Sequence, residues 1–433
     1  MTRSFTSFPI INFQDAKLQV LNWVNQFSTC CLLDNHKYDF SHHRYECLIA
    51  AGSLRSVTAQ AGEAFEQLQS FINKEKDWVF GHLSYELKNE IEDLHSDGSD
   101  SIQFPDLFFF VPKVILQLDE FSLSVGSFDD DHTLIYQEIM THSIETSFRP
   151  SAQINVTSKI SRRKYIDTIK QLKEHIQRGD CYEINFCQEF YAEDVSIDPI
   201  SIYKSLSATS PNPYSAYYKL SDKYLLCASP ERYLKKTSTA ILSQPIKGTW
   251  HRNIHSDEED ELNKNLLSAS TKDRSENVMV VDLVRNDLSK ICIEGSVKVD
   301  ELFGVYKFPQ LYQMISTISG ELKPGMSIAE MIKATFPMGS MTGAPKKKVM
   351  ELIEQYEVTR RGIFSGAVGY ISPEKDFDLN VVIRSIMYNS SNRYLSFLAG
   401  SGITFYSDPE SEYDECLLKA MAIKKVLEGN QYL

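Results

Sequence analysis

Two hydrophobic periods run through this chain, and they come in blocks. Up to residue 150 the apolar residues form short runs rich in β-branched and aromatic side chains. Cys47–Ala51, Trp78–Leu83 and Leu107–Leu118 read as strands, with Asp97–Ser101 and Asp129–His132 as polar breaks. Helical spacing is sparse there and centres on Thr58–Asn73. Ser143–Ser161 is polar and weakly patterned and reads as a connection.

From Ser161 the helical period takes over. Tyr165, Ile169, Leu172 and Ile176 recur on one face, and Gly179 supplies the stop. Cys181–Tyr191, Tyr214–Leu220 and Tyr224–Ala228 follow as strands. The acid-rich run His255–Asn265 reads as a solvated loop entering a helix, and Lys272–Leu288 as a second strong helix. Pro345 is placed at N1 of a third, whose stripe is Val349, Leu352, Ile353 and Tyr356. Three strand-like runs, Phe364–Ile371, Asp378–Tyr388 and Tyr394–Ala399, precede a last helix from Asp408-Pro409 to Gly429. Blocks of strands and helices predict an α+β fold with large antiparallel sheets, divided into residues 1–150 and 151–433.

Composition narrows the partners. A net charge of −13 over 433 residues speaks against nucleic acid and anionic membrane, both of which need a basic footprint. An anionic ligand would need local cations, helix N-termini or a metal ion. The opening MTRSFTSFPIINF has no apolar run behind a positive charge, so no signal peptide is expected. Phe104–Leu118 is too short and too interrupted for a membrane span. The eight cysteines lack C-x-x-C spacing and suit reduced, mostly buried thiols of a cytoplasmic protein.

Four segments carry unusual polar content, each with two readings. Glu231, just past a strand end in Ser229-Pro230-Glu231-Arg232, suits acid–base work or a turn ion pair. Lys247 lies between Pro245 and Gly248 in LSQPIKGTW, as a solvated lysine or as a side chain brought up to a ligand. Glu276 shares the apolar face of its helix with Val280 and Leu283, and needs a cation partner or belongs to an internal salt bridge. Glu412, Glu415 and Lys419 line one face of the last helix, which is a Mg²⁺ site or a solvated acidic face. Ala399-Gly400-Ser401-Gly402-Ile403 reads as a small-residue turn: its N–H groups approach a carboxylate, or it is a tight hairpin.

Together these segments resemble the chorismate-utilising enzymes: anthranilate, aminodeoxychorismate, isochorismate and salicylate synthases. The matching strings are SPERY (229–233), PIKGT (245–249), KDRSENVMVVDLVRNDL (272–288), FPMGSMTGAPK (336–346), RRGIFSGAVGY (360–370), VVIRS (381–385) and AGSGI…DPESEYDECLLKA (399–420). FSTCCLLDNHKY (27–38) and WVFGHLSYEL (78–87) resemble the family's N-terminal companion domain. The resemblance implies two intimately packed α/β subdomains with large antiparallel sheets flanked by helices.

It also implies roles. Lysine in the 245–249 loop, where anthranilate synthases carry alanine, is similar to the branch that aminates chorismate at C4 on the way to p-aminobenzoate and folate. Lys247 would attack C2 as the C4 hydroxyl leaves, and ammonia would then expel it. That asks for a lysine desolvated or set near cations. Glu231 would be the general acid. Glu276 and Glu415, with Glu412, would hold Mg²⁺. Arg384 would grip the enolpyruvyl carboxylate, and Lys419, Gly400, Gly402 and Thr249 would complete the substrate cradle. Phe364 replaces the usual tyrosine of the family. Glu183 stands where isochorismate-forming members use lysine and anthranilate synthases glutamine. Leu32-Leu33-Asp34-Asn35 stands at the family's tryptophan pocket. No glutaminase or pyridoxal-phosphate lyase motif is visible, so ammonia is expected from solution or from a separate glutamine amidotransferase subunit.

Overall fold

The computed structural model describes residues 2–39, 42–143, 153–253, 255–309 and 311–429. The expected boundary at 150 and residues 144–152 of the Ser143–Ser161 connection lie outside these residues. The chain begins with β1 (Ser4–Pro9), α1 (Phe13–Val24), β2 (Thr29–Asp34), β3 (Cys47–Ala59), α2 (Ala64–Lys74) and β4 (Val79–Leu83). Then come α3 (Lys88–Glu92), β5 (Leu107–Leu118), β6 (Ser122–Ser127), α4 (His132–Thr141), β7 (Thr157–Ser158), α5 (Arg162–Arg178) and β8 (Glu183–Ala192). The middle of the chain holds α6 (Pro199–Thr209), β9 (Tyr214–Leu220), β10 (Lys223–Ser229), β11 (Arg232–Thr237), β12 (Ala240–Gln244) and β13 (Ile246–His251). After α7 (Asp257–Ala269) and α8 (Thr271–Ile291) come β14 (Lys298–Lys307), β15 (Leu311–Glu321), α9 (Ile328–Thr335), β16 (Gly343–Ala344) and α10 (Lys346–Tyr356). The last elements are β17 (Ala367–Ile371), β18 (Phe377–Val381), β19 (Ser385–Asn389), β20 (Tyr394–Thr404) and α11 (Pro409–Glu428).

All twenty strands form one hydrogen-bonded network, and the named pairings are antiparallel. It forks at β5. One arm runs β5, β3, β2, β9, β10, β19, β20, β8; the other runs β5, β4, β17, β18, β11, β12, β15, with β13 and β14 beside β15. The fork is a local matter. Between Ser53 and Arg55 the β3–β5 register slips, next to Gly52 at φ +67°, and the ribbon can bend there. Residues 107–110 of β5 then pair with β4, and 115–118 with β6.

A shared core lies where side chains of both arms meet. It draws Leu48, Tyr218, Leu225 and Met387 from the first arm and Phe80, Val368, Leu379 and Ile318 from the second. A second core packs α1, α4, α5, α6 and α11 on the first arm. Adjacent Cys30 and Cys31 show the strand alternation at work, since each enters a different core. All eight cysteines are buried and unbonded. Among the described residues, no helix is long and apolar enough to cross a membrane.

The strand and helix blocks agree with the expected α+β class, with three local differences. Thr58 and Ala59 finish β3, and the helix starts at Ala64. Pro345 is the N-cap of α10, not its first residue. The acid-rich run is itself helical from Asp257, because Ser256 caps the backbone N–H of Glu259 and four acids favour the positive helix start.

One buried ion pair ties α10 to β8. Glu357 accepts from the Arg361 Nε and Nη2 (2.9 and 2.7 Å) and from the Cys187 N–H (2.8 Å), while Arg361 also reaches the carbonyls of Met341 and Asn185. Both side chains are all but inaccessible. Arg361→Met therefore leaves a buried carboxylate unpaired and is expected to cost about 3–5 kcal/mol in denaturant unfolding.

Candidate active site

Polar side chains cluster where the two arms meet, and local structure puts them there. Glu276 lies in the first turns of α8, on a stripe continued by Val280, Val284 and Ile291; Ser270 caps this helix through the N–H of Asp273. Glu412 heads the buried stripe of α11, ahead of Cys416, Ala420, Ile423 and Leu427, with Asp408 as N-cap and Pro409 at the start. Glu415 and Lys419 border that stripe and pair at 2.8 Å.

Lys247 is not on a loop but in strand β13. The β13–β15 register slips between Ile246 and Thr249, so Lys247 and Gly248 form a bulge. Gly248 has φ +97°, and a Cβ there would press on Asp273 at 3.0 Å, so the bulge needs glycine. Asn277, itself held by Ser316 (2.6 Å), donates to the Lys247 carbonyl at 3.5 Å. Thr249 pairs with Gln313 of β15. Gln313 is fully buried, and neither amide atom has a hydrogen-bond partner among the described residues.

The Lys247 Nζ donates to Glu183 Oε1 at 2.5 Å. Burial pulls the lysine pKa down, but Glu183, then Glu276 and Glu415, outweigh it and hold the pKa above the ordinary lysine value. The lysine is desolvated, as one of the two expected routes requires, but it lies among carboxylates, which keep it an ammonium. Glu231, fixed between β10 and β11, is buried and accepts from the Ser340 hydroxyl at 2.5 Å. Burial pushes its pKa up to about 7, against the pull of Ser340, Lys247 and Arg384. Arg384, at φ +50° between β18 and β19, has no ion pair among the described residues, and burial lowers its pKa to about 10.

Glu276, Glu412 and Glu415 converge as expected. Lys272, which sequence reasoning passed over, sits among them at 3.9, 3.1 and 3.6 Å. Glu276 Oε1 and Glu412 Oε2 are buried without hydrogen-bond partners among the described residues. Burial pushes Glu276 up to about 7, while Lys419, with Lys272 and Lys247, holds Glu415 down to about 2. The two unpartnered oxygens leave hard donors for a divalent cation, but Glu276, Glu412 and Glu415 do not bring one oxygen each within 4.8 Å of one another; among the described residues Asp34, Glu46 and Cys47 do.

The Gly400–Gly402 turn does not exist. Both glycines lie inside β20, paired with Cys187 and Asn185 of β8. Small residues are needed there for close approach, since a Cβ on Gly400 would fall 2.0 Å from the Phe186 carbonyl. Lys419 donates to the Gly400 carbonyl at 3.1 Å. Phe364 packs in the shared core. Leu33, Asp34 and Asn35 line a separate cleft with Arg44, Tyr45 and Tyr370, and none of the charged residues of the Lys247 cluster borders it.

Residues 28–425 match the chorismate binding enzyme family, and the chain belongs to it. Among individual relatives, it is 34% identical over 436 residues to the probable aminodeoxychorismate synthase, chloroplastic, of Oryza sativa subsp. japonica, covering 98% of this chain and 47% of the relative. It therefore spans about half that plant protein's length. Aminodeoxychorismate synthase component 1 of Bacillus subtilis (strain 168) is 31% identical over 84% of this chain and 80% of its own. The solved anthranilate synthase component I of Streptococcus pneumoniae TIGR4 shares the fold, with TM-score 0.78 at 23% identity over 90% of this chain and 95% of that one.

Gly402 leaves room for the Lys247–Glu183 pair. A Cβ on it would lie 2.7 Å from Lys247 Nζ and 2.9 Å from Glu183 Oε1, both ends of flexible side chains. Gly402→Ala should therefore fold normally by thermal unfolding but displace the amine, and is expected to lower kcat by about tenfold to a hundredfold.

Proposed function

We propose that this chain aminates chorismate at C4 to give 4-amino-4-deoxychorismate, toward p-aminobenzoate and folate, with ammonia from a separate glutamine amidotransferase subunit. The observation that carries the reading is the buried Lys247 amine in one site with Glu231, a carboxyl held near neutrality. The amine forms a bond to C2 as the C4–O bond breaks. Glu231 gives the departing hydroxyl its proton, and water leaves. Ammonia then adds at C4, the C2–N bond breaks, and the Glu231 carboxylate takes a proton from the new C4 amine. Acid and product amine thus return to their starting states.

The dianionic substrate would meet local cations in an acidic protein. Arg384 offers the enolpyruvyl carboxylate a bidentate fork. Lys419, Thr249 and the backbone at Gly400 and Gly402 would border the second carboxylate. Glu276 and Glu415, with Glu412, would hold Mg²⁺. That ion would bind the ring carboxylate and fix the ring's orientation. Unbonded buried thiols suit a reducing compartment such as the cytoplasm.

Product identification with chorismate, Mg²⁺ and ammonium tests the reading. Aminodeoxychorismate is expected from the parent and none from Lys247→Ala; anthranilate, or isochorismate formed without ammonia, overturns it. Glu231 must be protonated to donate, so kcat should fall as pH rises through about 7. Glu231→Gln should lose about 10²–10⁴-fold and the alkaline limb with it. In Mg²⁺ titrations by calorimetry, Glu276→Gln and Glu415→Gln should bind more weakly and Lys272→Met more tightly. Unchanged affinity in all three rejects this ligand set.

A further inference from the structure

We propose that Glu183 is the base for Lys247: it takes the ammonium proton before attack and receives the role of returning it when the lysine leaves. This rests on the amination reading above. A protonated amine has no lone pair, so its proton must go to some acceptor before any bond to C2 can form.

Geometry selects the acceptor. Among the described residues, Glu183 is the sole carboxylate within 4 Å of Nζ, at 2.5 Å. Glu276 on α8 and Glu415 on α11 act on the lysine from farther away, and Glu231 faces it as the acid. The Glu183 backbone is held on both edges of β8, opposite Thr404 of β20 and Ala344 of β16. Its side chain is buried, and Gly402 keeps the space beside the pair free of a side chain.

How the pair is made distinguishes it from a structural one. Glu357, paired to Arg361, has both oxygens occupied, and that arginine spends its other donors on carbonyls. Among the described residues the Glu183 side chain has one hydrogen bond, from Lys247, and its buried Oε2 has no hydrogen-bond partner. A permanent buried ion pair needs every lone pair satisfied to offset desolvation. Passing the proton from Nζ to the carboxylate discharges this incompletely satisfied pair and leaves both groups neutral. The two carboxyls then work in opposite senses. Glu183 accepts a proton from Lys247 while Glu231 gives one to the C4 oxygen; in the second half Glu183 returns its proton to the lysine and Glu231 regains one from the C4 amine. Protons balance over the cycle, and no outside acid or base is consumed.

Glu183→Gln and Glu183→Asp in the full chain, with Lys247→Ala alongside, test this by chorismate–ammonium kinetics from pH 6 to 9. Glu183→Gln is expected to lower kcat at pH 7 by about 10²–10⁴-fold while KM for chorismate stays within about threefold. The ratio of variant to parent kcat should climb about tenfold per pH unit from 7 to 9, as water becomes the proton acceptor. Taking this ratio cancels the titration of Glu231. Glu183→Asp keeps a base one methylene shorter, so its kcat should lie between the two and its profile should follow the parent's. A glutamine variant as fast as the parent, a ratio flat across pH, or an aspartate variant as impaired and as pH-dependent as glutamine overturns the proposal. If Lys247→Ala is silent while Glu183→Gln is active, only the base assignment falls; if Lys247→Ala still makes product, the lysine mechanism itself falls.

Discussion

Charge balance in a closed space is the constraint on which this structure turns. Five glutamates, 183, 231, 276, 412 and 415, meet between the arms, and an ionised side chain taken from water costs several kcal/mol unless it is matched. Three lysines match three of them: Lys247 with Glu183, Lys272 with Glu412 and Lys419 with Glu415. Two of those pairs join residues of the second arm to residues of the first. The seam that forms the site is therefore also one of the places where the arms are held together.

The remaining two carboxyls are handled by environment. Glu231 and Glu276 stand near 7 and Glu415 near 2, although all three are the same chemical group. Burial sets the first two and the lysine neighbours set the third. Environments that separate like groups assign them different work. Raised to about 7, Glu231 can give up a proton near neutrality, and Glu415, held to about 2, stays ionised.

Much of this was legible in the chain. Helical spacing from Tyr165 to Ile176 and the Asp408-Pro409 start both mark real helices, because caps and apolar stripes are local signals. The motifs named the triad of glutamates, Glu231 and Lys247. What escaped depends on partners distant in sequence. Lys247 looked like a loop residue because Pro245 and Gly248 flank it, yet β15 turns those residues into a bulged strand. Gly400 and Gly402 looked like a turn because strands rarely carry two glycines; the close approach of the β8 backbone demands the first, and the Lys247–Glu183 pair fills the space beside the second. Helices α1, α4 and α6 carry weak patterns and are stabilised by packing on the sheet. No local pattern could show that Lys272 fills the space among the glutamates, or that Ser340 holds Glu231.

The fork at β5 has a consequence for how the molecule comes into being. β4 pairs with β17 and β2 with β9, so strands near one end of the chain wait for partners made far along it. Contacts at such separation are slow to form, because loop closure must precede the gain from pairing. The site needs Lys247 from one arm, Glu183 from the other and Glu415 from α11. Its carboxylates thus come together only after the sheet has closed and α11 has docked. An unfinished chain is spared a cluster of like charges, and reactivity appears as the last property of assembly.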